Sequence, residues 1–263
     1  MKINEKRILS TVKDIIEIFN LTYPLDIDEF VEKLNIDLKF IDTGNCDGLF
    51  LCHKGKKKIL INKSANRLRK NFTIGHELGH YFIEHHLSQL YDCNIEDKNN
   101  IKGSVNSNRL FEQEADIFSG ELLLPTEILR KENYCSLDRI RTISKKYGIS
   151  IPATAIKVMH IQKEPMVFMQ FNKNSIIWHQ SSIGETSNCH NLSNMLSIPD
   201  TSHFYKLNKY GYTMREISSY GWLVDEFDDP SVKIKEEIIY CKDYDYGYIL
   251  LDLSEVYKRY ELE

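Results

Sequence analysis

Hydrophobic and polar residues follow two periods along the first part of the chain, and the change from one to the other marks its elements. Apolar residues at helical spacing predict a helix over residues 5–20, and an acidic first turn predicts a short second helix that begins at Asp26. Alternation predicts a strand over residues 36–40, and two short apolar runs, 49–51 and 58–61, predict a hairpin. A small β-sheet is therefore expected after two helices, with an exposed edge that could hold an extended peptide.

The helical period returns in two longer segments. Residues 67–86 and residues 109–124 carry apolar stripes, and both are predicted to be buried helices. The polar residues 87–108 between them predict a long loop, which could form one rim of a cleft.

The pattern of apolar and polar residues is different in the rest of the chain. Residues 136–161 predict two helices and a turn, which is either a DNA-binding helix-turn-helix or, as we favour, a helical pair that packs on the preceding domain. After Pro165, apolar runs predict one hairpin over residues 166–179 and another over residues 235–253. A smaller α+β domain that senses a ligand or binds a partner is consistent with this pattern.

Composition narrows the class of protein. A net charge of -4 gives no overall bias toward nucleic acid. No apolar run approaches the roughly 20 residues of a membrane span, and no apolar signal core follows the N-terminus. The six cysteines form no C-x-x-C pair, so we expect reduced thiols and a cytoplasmic location. Cys46, Cys52 and His53 could suggest a metal site, but isolated thiols near a hairpin are the favoured interpretation.

Candidate chemistry lies in the first long helix, where His76, Glu77 and His80 form an H-E-x-x-H sequence inside an apolar run. Residues four apart lie one turn above each other on a helix, so both imidazoles point at one position. Two imidazole nitrogens about 2 Å from a common centre are half of a tetrahedral zinc site. Glu77 can reach a water there without binding the metal and is the candidate general base. The alternative is a surface helix that carries these residues by chance.

Two glycines accompany the motif. Gly75 and Gly79 are four residues apart, so they remove side chains from one stripe of the helix. Because glycine in a helix interior costs about 1 kcal/mol relative to alanine, we expect another backbone to pack closely against this stripe. The two histidines at the end of the predicted helix, His85 and His86, point away from the motif by helical phase. They are interpreted as partners of the helix dipole or as solvent-facing residues.

The second long helix carries three acids, Glu112, Glu114 and Asp116. A carboxylate from a helix packed on the first would complete a set of two histidines and one glutamate and leave a fourth position open for water. Asp116, one turn from Glu112, could accept a hydrogen bond from a ligand histidine and fix its tautomer. Glu114 is the alternative ligand, since its phase is about 200° from that of Glu112 and only one can face the metal. All three acids could also be surface charges.

These motifs resemble a known family. The stretch from Phe72 to His80, the Glu112-x-Glu-Ala-Asp116 spacing and the run Leu122-Leu123-Leu124-Pro125 are together similar to the ImmA/IrrE metallopeptidases, over roughly residues 25–160. The resemblance implies an α+β fold with a zincin-like metallopeptidase domain, whose small β-sheet and active-site helices are similar to those of thermolysin-like enzymes. It also implies a helix-turn-helix-like segment and a C-terminal α+β domain with a GAF-like fold. The corresponding domain limits are 1–133, 134–163 and 164–263.

The resemblance also implies site residues and a function. His76, His80 and Glu112 would bind Zn²⁺, or Mn²⁺ in its place, and Glu77 would be the catalytic base. Family members of this kind cleave helix-turn-helix repressors and so release transcription of mobile-element or stress-response genes. The expected partner is therefore a protein substrate, with direct DNA binding less favoured and no membrane. The rival hypothesis is a regulator that binds DNA or a repressor without proteolysis and uses its metal for structure.

Overall fold

The computed structural model describes most of the chain: residues 3–44, 46–86, 105–132, 136–183, 197–207, 211–223, 229–241, 243 and 245–262. The chain divides into two compact units. The first comprises Met1–Ile128 and Ser144–Ser150, and the second comprises Leu129–Ile143 and Ile151–Glu263. Among the described residues, no helix is both long enough and apolar enough to cross a membrane. The chain is a mixed α and β protein, as predicted.

The first unit begins with two helices and a sheet. Its elements are α1 (Glu5–Ile18), α2 (Ile27–Lys33), β1 (Asp37–Ile41), β2 (Gly48–His53) and β3 (Lys56–Asn62). The predicted start of α2 is confirmed, because the Asp26 carboxylate accepts hydrogen bonds from the first free N–H groups of the helix. The strand order is β1-β3-β2, with β1 parallel and β2 antiparallel to β3. β2 is thus an edge strand, as expected of the hairpin.

Two long helices follow the sheet, α3 (Arg67–Phe82) and α4 (Val105–Leu123). The Asn66 side chain caps α3 by accepting from a backbone N–H of its first turn. The prediction that this helix runs to residue 86 was wrong, because Ile83 has extended dihedral angles and ends it. The predicted loop 87–108 was also too long, since α4 begins at Val105; residues 87–104 lie outside the described residues.

α3 and α4 pack at close range through the two glycines. A Cβ at Gly79 would lie 2.9 Å from the Cα of Ala115, and a Cβ at Gly75 would lie 2.5 Å from the Oγ of Ser119. The Ser119 hydroxyl donates to the carbonyl of Phe72 at 2.7 Å, which ties the two helices together. The expectation of a close backbone at this stripe is confirmed. This contact sets the distance between side chains on the facing surfaces of the two helices.

Three further helices follow α4 in the described chain: α5 (Thr126–Leu129), α6 (Leu137–Tyr147) and α7 (Ile151–Ile161). α6 and α7 are the predicted helical pair. The turn between them contains Gly148 in the left-handed region, with φ of 66°. Within the first unit, the Asn71 amide donates to the Gly148 carbonyl at 2.9 Å.

The second unit contains an antiparallel sheet of order β5-β4-β8-β7-β6. Its elements are β4 (Met166–Asn172), β5 (Ser175–Ser181), a 3-10 helix (His203–Lys206), β6 (Gly211–Ser218), β7 (Lys233–Cys241), β8 (Tyr246–Asp252) and α8 (Ser254–Arg259). The two predicted hairpins correspond to β4–β5 and β7–β8 and are confirmed. The sequence patterns did not predict β6. A GAF-like fold is not confirmed by this arrangement.

Candidate metal centre

α3 places the two histidines of the H-E-x-x-H sequence side by side. Its helical geometry puts His76 and His80 one turn apart, and their Nε2 atoms are 3.1 Å from each other. Both side chains are mostly buried between α3 and α4, so the nitrogens face a shared position and not bulk water. The predicted convergence of the two imidazoles is present in the structure.

α4 brings one carboxylate to this position. An oxygen of Glu112 lies 3.0 Å from His76 Nε2, and its other oxygen lies 3.5 Å from His80 Nε2. Ligands about 2.0–2.1 Å from a tetrahedral ion are separated from one another by about 3.3 Å. The three observed separations lie around that value, so two imidazole nitrogens and the carboxylate of Glu112 fit a metal ion such as zinc.

Asp116 lies one turn beyond Glu112 on α4, and its carboxylate is 2.8 Å from His76 Nδ1. This contact leaves Nε2 of the ring to face the candidate metal position, because a neutral imidazole carries one proton and Asp116 accepts it at Nδ1. Burial lowers the pKa of His76, but the contacts with Asp116 and Glu112 outweigh it and raise that pKa to about 10. Hydrogen bonds with His76 and His80 hold the pKa of Glu112 well below its usual range. In the absence of a metal, a proton on His76 would balance these carboxylates.

Glu77 lies on the side of α3 that faces the edge strand. Its side chain is 7% exposed and accepts a hydrogen bond from the backbone N–H of Phe50 in β2. Gly48 allows this approach, because a Cβ there would meet the Glu77 Oε1 at 3.0 Å and would clash with Thr73. Burial raises the pKa of Glu77 above its usual value. A carboxylate whose pKa is raised in this way is suited to accept and release a proton.

A cavity of about 400 Å³ opens beside these residues. The first residue of β2, the residues just before it and the first turns of α3 line it, together with His76, Glu77 and Glu112. Arg69 also faces the cavity and forms an ion pair with Asp47, which holds the segment before β2 against α3. The cavity therefore connects the candidate metal position with the edge strand.

The other acid of α4 belongs to a second cluster. Glu114 is 4% exposed, and one of its oxygens lies 2.6 Å from His85 Nε2 and 3.0 Å from His86 Nε2. His86 is 2% exposed, and its Nδ1 lies 3.1 Å from Nδ1 of His80. The structure thus brings Glu112, and not Glu114, to the pair His76 and His80.

The prediction that His85 and His86 point away from the motif by helical phase, as dipole partners or solvent-facing residues, was wrong for His86. Helical phase applies only within one continuous helix, and α3 ends at Phe82. The chain turns at Ile83, and His86 returns to the interior against His80 and the ring of Phe111. Burial lowers the pKa of His86 to about 4 despite its contact with Glu114. No sequence pattern indicated that His86 is buried beside the buried carboxylate of Glu114.

Comparisons with known proteins find similar sequences and a similar fold. Residues 31–159 match the family model described as the IrrE N-terminal-like domain, peptidase M78. Metallopeptidase ImmA of Bacillus subtilis (strain 168) is 31% identical over 90 residues, which are 34% of this chain and 48% of that protein. The chain thus matches about half of the length of this relative.

A solved structure, that of a Mycobacterium tuberculosis transcriptional regulator, resembles this chain with a TM-score of 0.59. The match covers 96% of this chain and 78% of that chain at 12% sequence identity, so the likeness concerns the fold alone. The family-model match, residues 31–159, spans both helices of the candidate metal centre. Both sequence comparisons support the resemblance of this chain to the ImmA/IrrE metallopeptidases, over residues 31–159 for the family model.

Proposed function

We propose that the protein is a zinc-dependent endopeptidase. The observation that carries this proposal is the arrangement of His76, His80 and Glu112 at separations that fit a tetrahedral ion, with Glu77 beside them. A set of three protein ligands that leaves one coordination position open is typical of catalytic zinc and not of structural zinc. Manganese could occupy the same donors, and the metal analysis described below distinguishes the two ions.

A zinc ion held there would polarise the scissile carbonyl and acidify the attacking water. Glu77 would take the proton from that water and pass it to the leaving amine, which suits a buried carboxylate with a raised pKa. Asp116 would hold His76 in the tautomer that presents Nε2. Each of these roles is assigned to a side chain whose position supports it.

The edge strand supports an extended peptide as the substrate. β2 pairs with β3 along one edge, while its other edge has no strand partner among the described residues, and Leu49 and Leu51 are 46% and 41% exposed. A peptide added to this edge would lie over the cavity beside Glu77. The family supports a helix-turn-helix repressor as the protein that supplies this peptide, with release of mobile-element or stress-response genes as the result. The second unit, whose GAF-like fold remains a prediction, would sense a signal or bind a partner.

Three proteins test the proposal: the wild type, Glu77→Gln and Glu112→Gln. We expect about one zinc per chain in the wild type and in Glu77→Gln by elemental analysis, and loss of zinc in Glu112→Gln. Cleavage of a candidate repressor should occur in the wild type and be lost in both variants. Cleavage by Glu77→Gln at the wild-type rate would contradict the mechanism. Repressor or DNA binding that is unchanged in Glu77→Gln, with no cleavage by any of the three proteins, would favour the non-proteolytic regulator.

A further inference from the structure

A second group of histidines and a carboxylate lies directly behind the candidate metal centre. His85, His86 and Glu114 place their nitrogens and one oxygen within 4.8 Å of one another, which would also suit a metal ion. His86 additionally contacts His80 through the two Nδ1 atoms, 3.1 Å apart. The group is therefore joined to a ligand of the first site, and a chain of contacts runs from Glu114 through His86 to His80.

The protons on the two imidazoles decide what this chain of contacts can do. If His80 binds metal through Nε2, its single proton is on Nδ1, which then donates to Nδ1 of His86. The proton of His86 must then be on its Nε2, where it donates to Glu114 at 3.0 Å. Two neutral rings and one carboxylate satisfy every contact along the chain.

A metal ion on Nε2 of His86 would reverse this order. The proton of His86 would then be on Nδ1, directly facing the proton on Nδ1 of His80 at a separation of 3.1 Å between the nitrogens. Two facing N–H groups repel each other, and removing one proton would require an imidazolate. The geometry thus disfavours a second metal at His86 while His80 holds the first.

We propose that Glu114 and His86 are positioning residues that orient His80 and fix its tautomer for metal binding. This inference rests on the proposed metal centre and extends it. The two ligand histidines would be supported differently: Asp116 contacts His76 directly, whereas Glu114 acts on His80 through the imidazole of His86. Supporting contacts of this kind hold a ligand ring in place and raise its basicity.

The chain of contacts from Glu114 through His86 to His80, called the relay below, is rigid because its residues are mostly buried. His86 and Glu114 are almost fully buried, and the ring of His86 packs on Phe111 with centroids 4.6 Å apart. Hydrogen bonds in such a low-dielectric environment are stronger and less exchangeable than those at the surface. The end of α3 at Phe82 is what permits this geometry, since a continuous helix would carry residue 86 to a different face.

His85 provides a matched control. It contacts the same oxygen of Glu114, at 2.6 Å, but its side chain is 28% exposed, whereas that of His86 is 2% exposed. We therefore expect His85→Ala to leave metal affinity close to that of the wild type. The variants His86→Ala and Glu114→Gln should each lower zinc affinity by about 10–100-fold. Because the two residues act in series, the double variant should lose no more than the weaker-binding single variant.

The measurement is zinc affinity of the full-length protein by competition with a chromophoric chelator, with metal-free thermal unfolding as a check on folding. One zinc in the wild type with unchanged affinity in Glu114→Gln would overturn the relay and leave the metal centre intact. Two zinc ions per chain, with one lost in His85→Ala, would overturn it in favour of a second metal site. No zinc in the wild type would overturn the relay together with the proposed function.

A spectroscopic readout separates positioning from simple packing. In zinc-loaded protein, the relay requires a proton on Nδ1 of His80 and on Nε2 of His86. Nitrogen-15 NMR of the histidine rings reports these tautomers, and we expect His86→Ala to remove the hydrogen bond at His80 Nδ1 and shift its signal. A proton on Nδ1 of His86 in the zinc-loaded wild type would refute the proposal even if the variants fold poorly.

Discussion

The contact between α3 and α4 at Gly79 offers a direct test of how the candidate site is held together. In a Gly79→Ala variant, the new Cβ would lie 2.9 Å from Cα, 3.2 Å from Cβ and 3.3 Å from the carbonyl oxygen of Ala115. The first and last of these are backbone atoms, which cannot rotate away. The two helices would have to move apart, and Glu112 would move with α4 away from the histidines of α3.

The size of this effect follows from the contact. Ordinary contact of a Cβ begins near 3.4 Å, so relief requires a shift of about 0.5 Å, which is also the tolerance of a preorganised site. Overpacking of this kind costs about 1–3 kcal/mol, and the better helix propensity of alanine offsets about 1 kcal/mol of it. We therefore expect the free energy of unfolding to fall by less than about 2 kcal/mol, while zinc affinity falls by at least about tenfold.

Zinc affinity by chelator competition and thermal unfolding of the metal-free protein measure the two effects separately. The double variant Gly79→Ala with Ala115→Gly is a control, because it removes the 3.2 Å contact and keeps the 2.9 Å contact. It should recover only part of the affinity. Wild-type affinity in Gly79→Ala would show that the close helix contact does not position Glu112, and the reasoning would fail.

Three further predictions follow from single contacts. Asp116→Asn should lower zinc affinity by about 10–100-fold in the same competition assay, because a neutral amide oxygen is a weaker acceptor for the Nδ1–H of His76 than a carboxylate oxygen. A folded-state pKa of about 10 for His76 means that the metal-free ring is protonated at pH 7.5, so zinc binding should release about one proton. Calorimetry in buffers of different ionisation enthalpy measures this number, and affinity that does not rise with pH would contradict it. In the second unit, Gly247→Ala should lower the free energy of unfolding by about 1–3 kcal/mol, since a Cβ there clashes with the Ile239 carbonyl and the Phe171 ring; unchanged zinc content is the expected control result.

Local periodicity explains which parts of the site the sequence could predict. The convergence of His76 and His80, and the shared face of Glu112 and Asp116, depend only on positions within one helix. The glycines carried a second signal, because their cost within a helix indicated a close neighbour before that neighbour was known. Such features can be predicted once the helices are located, without knowledge of the tertiary fold.

Features that depend on how a helix ends, or on contacts between distant segments, were not predictable in this way. His86 was misplaced because the extended conformation of Ile83 interrupts the helical phase, and no glycine or proline marks that position. β6 was missed because its exposed face weakens the alternation that identifies a strand; Tyr212 and Met214 are both exposed. The strand order of the second sheet depends on pairings distant in sequence, which periodicity does not encode.

The chemistry of the site and the stability of its fold depend on the same charges. Between α3, α4 and the turn after α3, each of four histidines contacts at least one carboxylate of α4, directly or through the next imidazole. Neighbouring carboxylates repel one another unless a cation balances them, and protons on the imidazoles or a divalent ion can do so. A divalent ion held in the proposed centre would contact side chains of both helices, so part of its binding free energy would stabilise their packing. Without a cation, the fold must overcome the repulsion between these carboxylates. A cation that binds there would relieve this repulsion, and this favours cations over other ligands at a site between two closely packed helices.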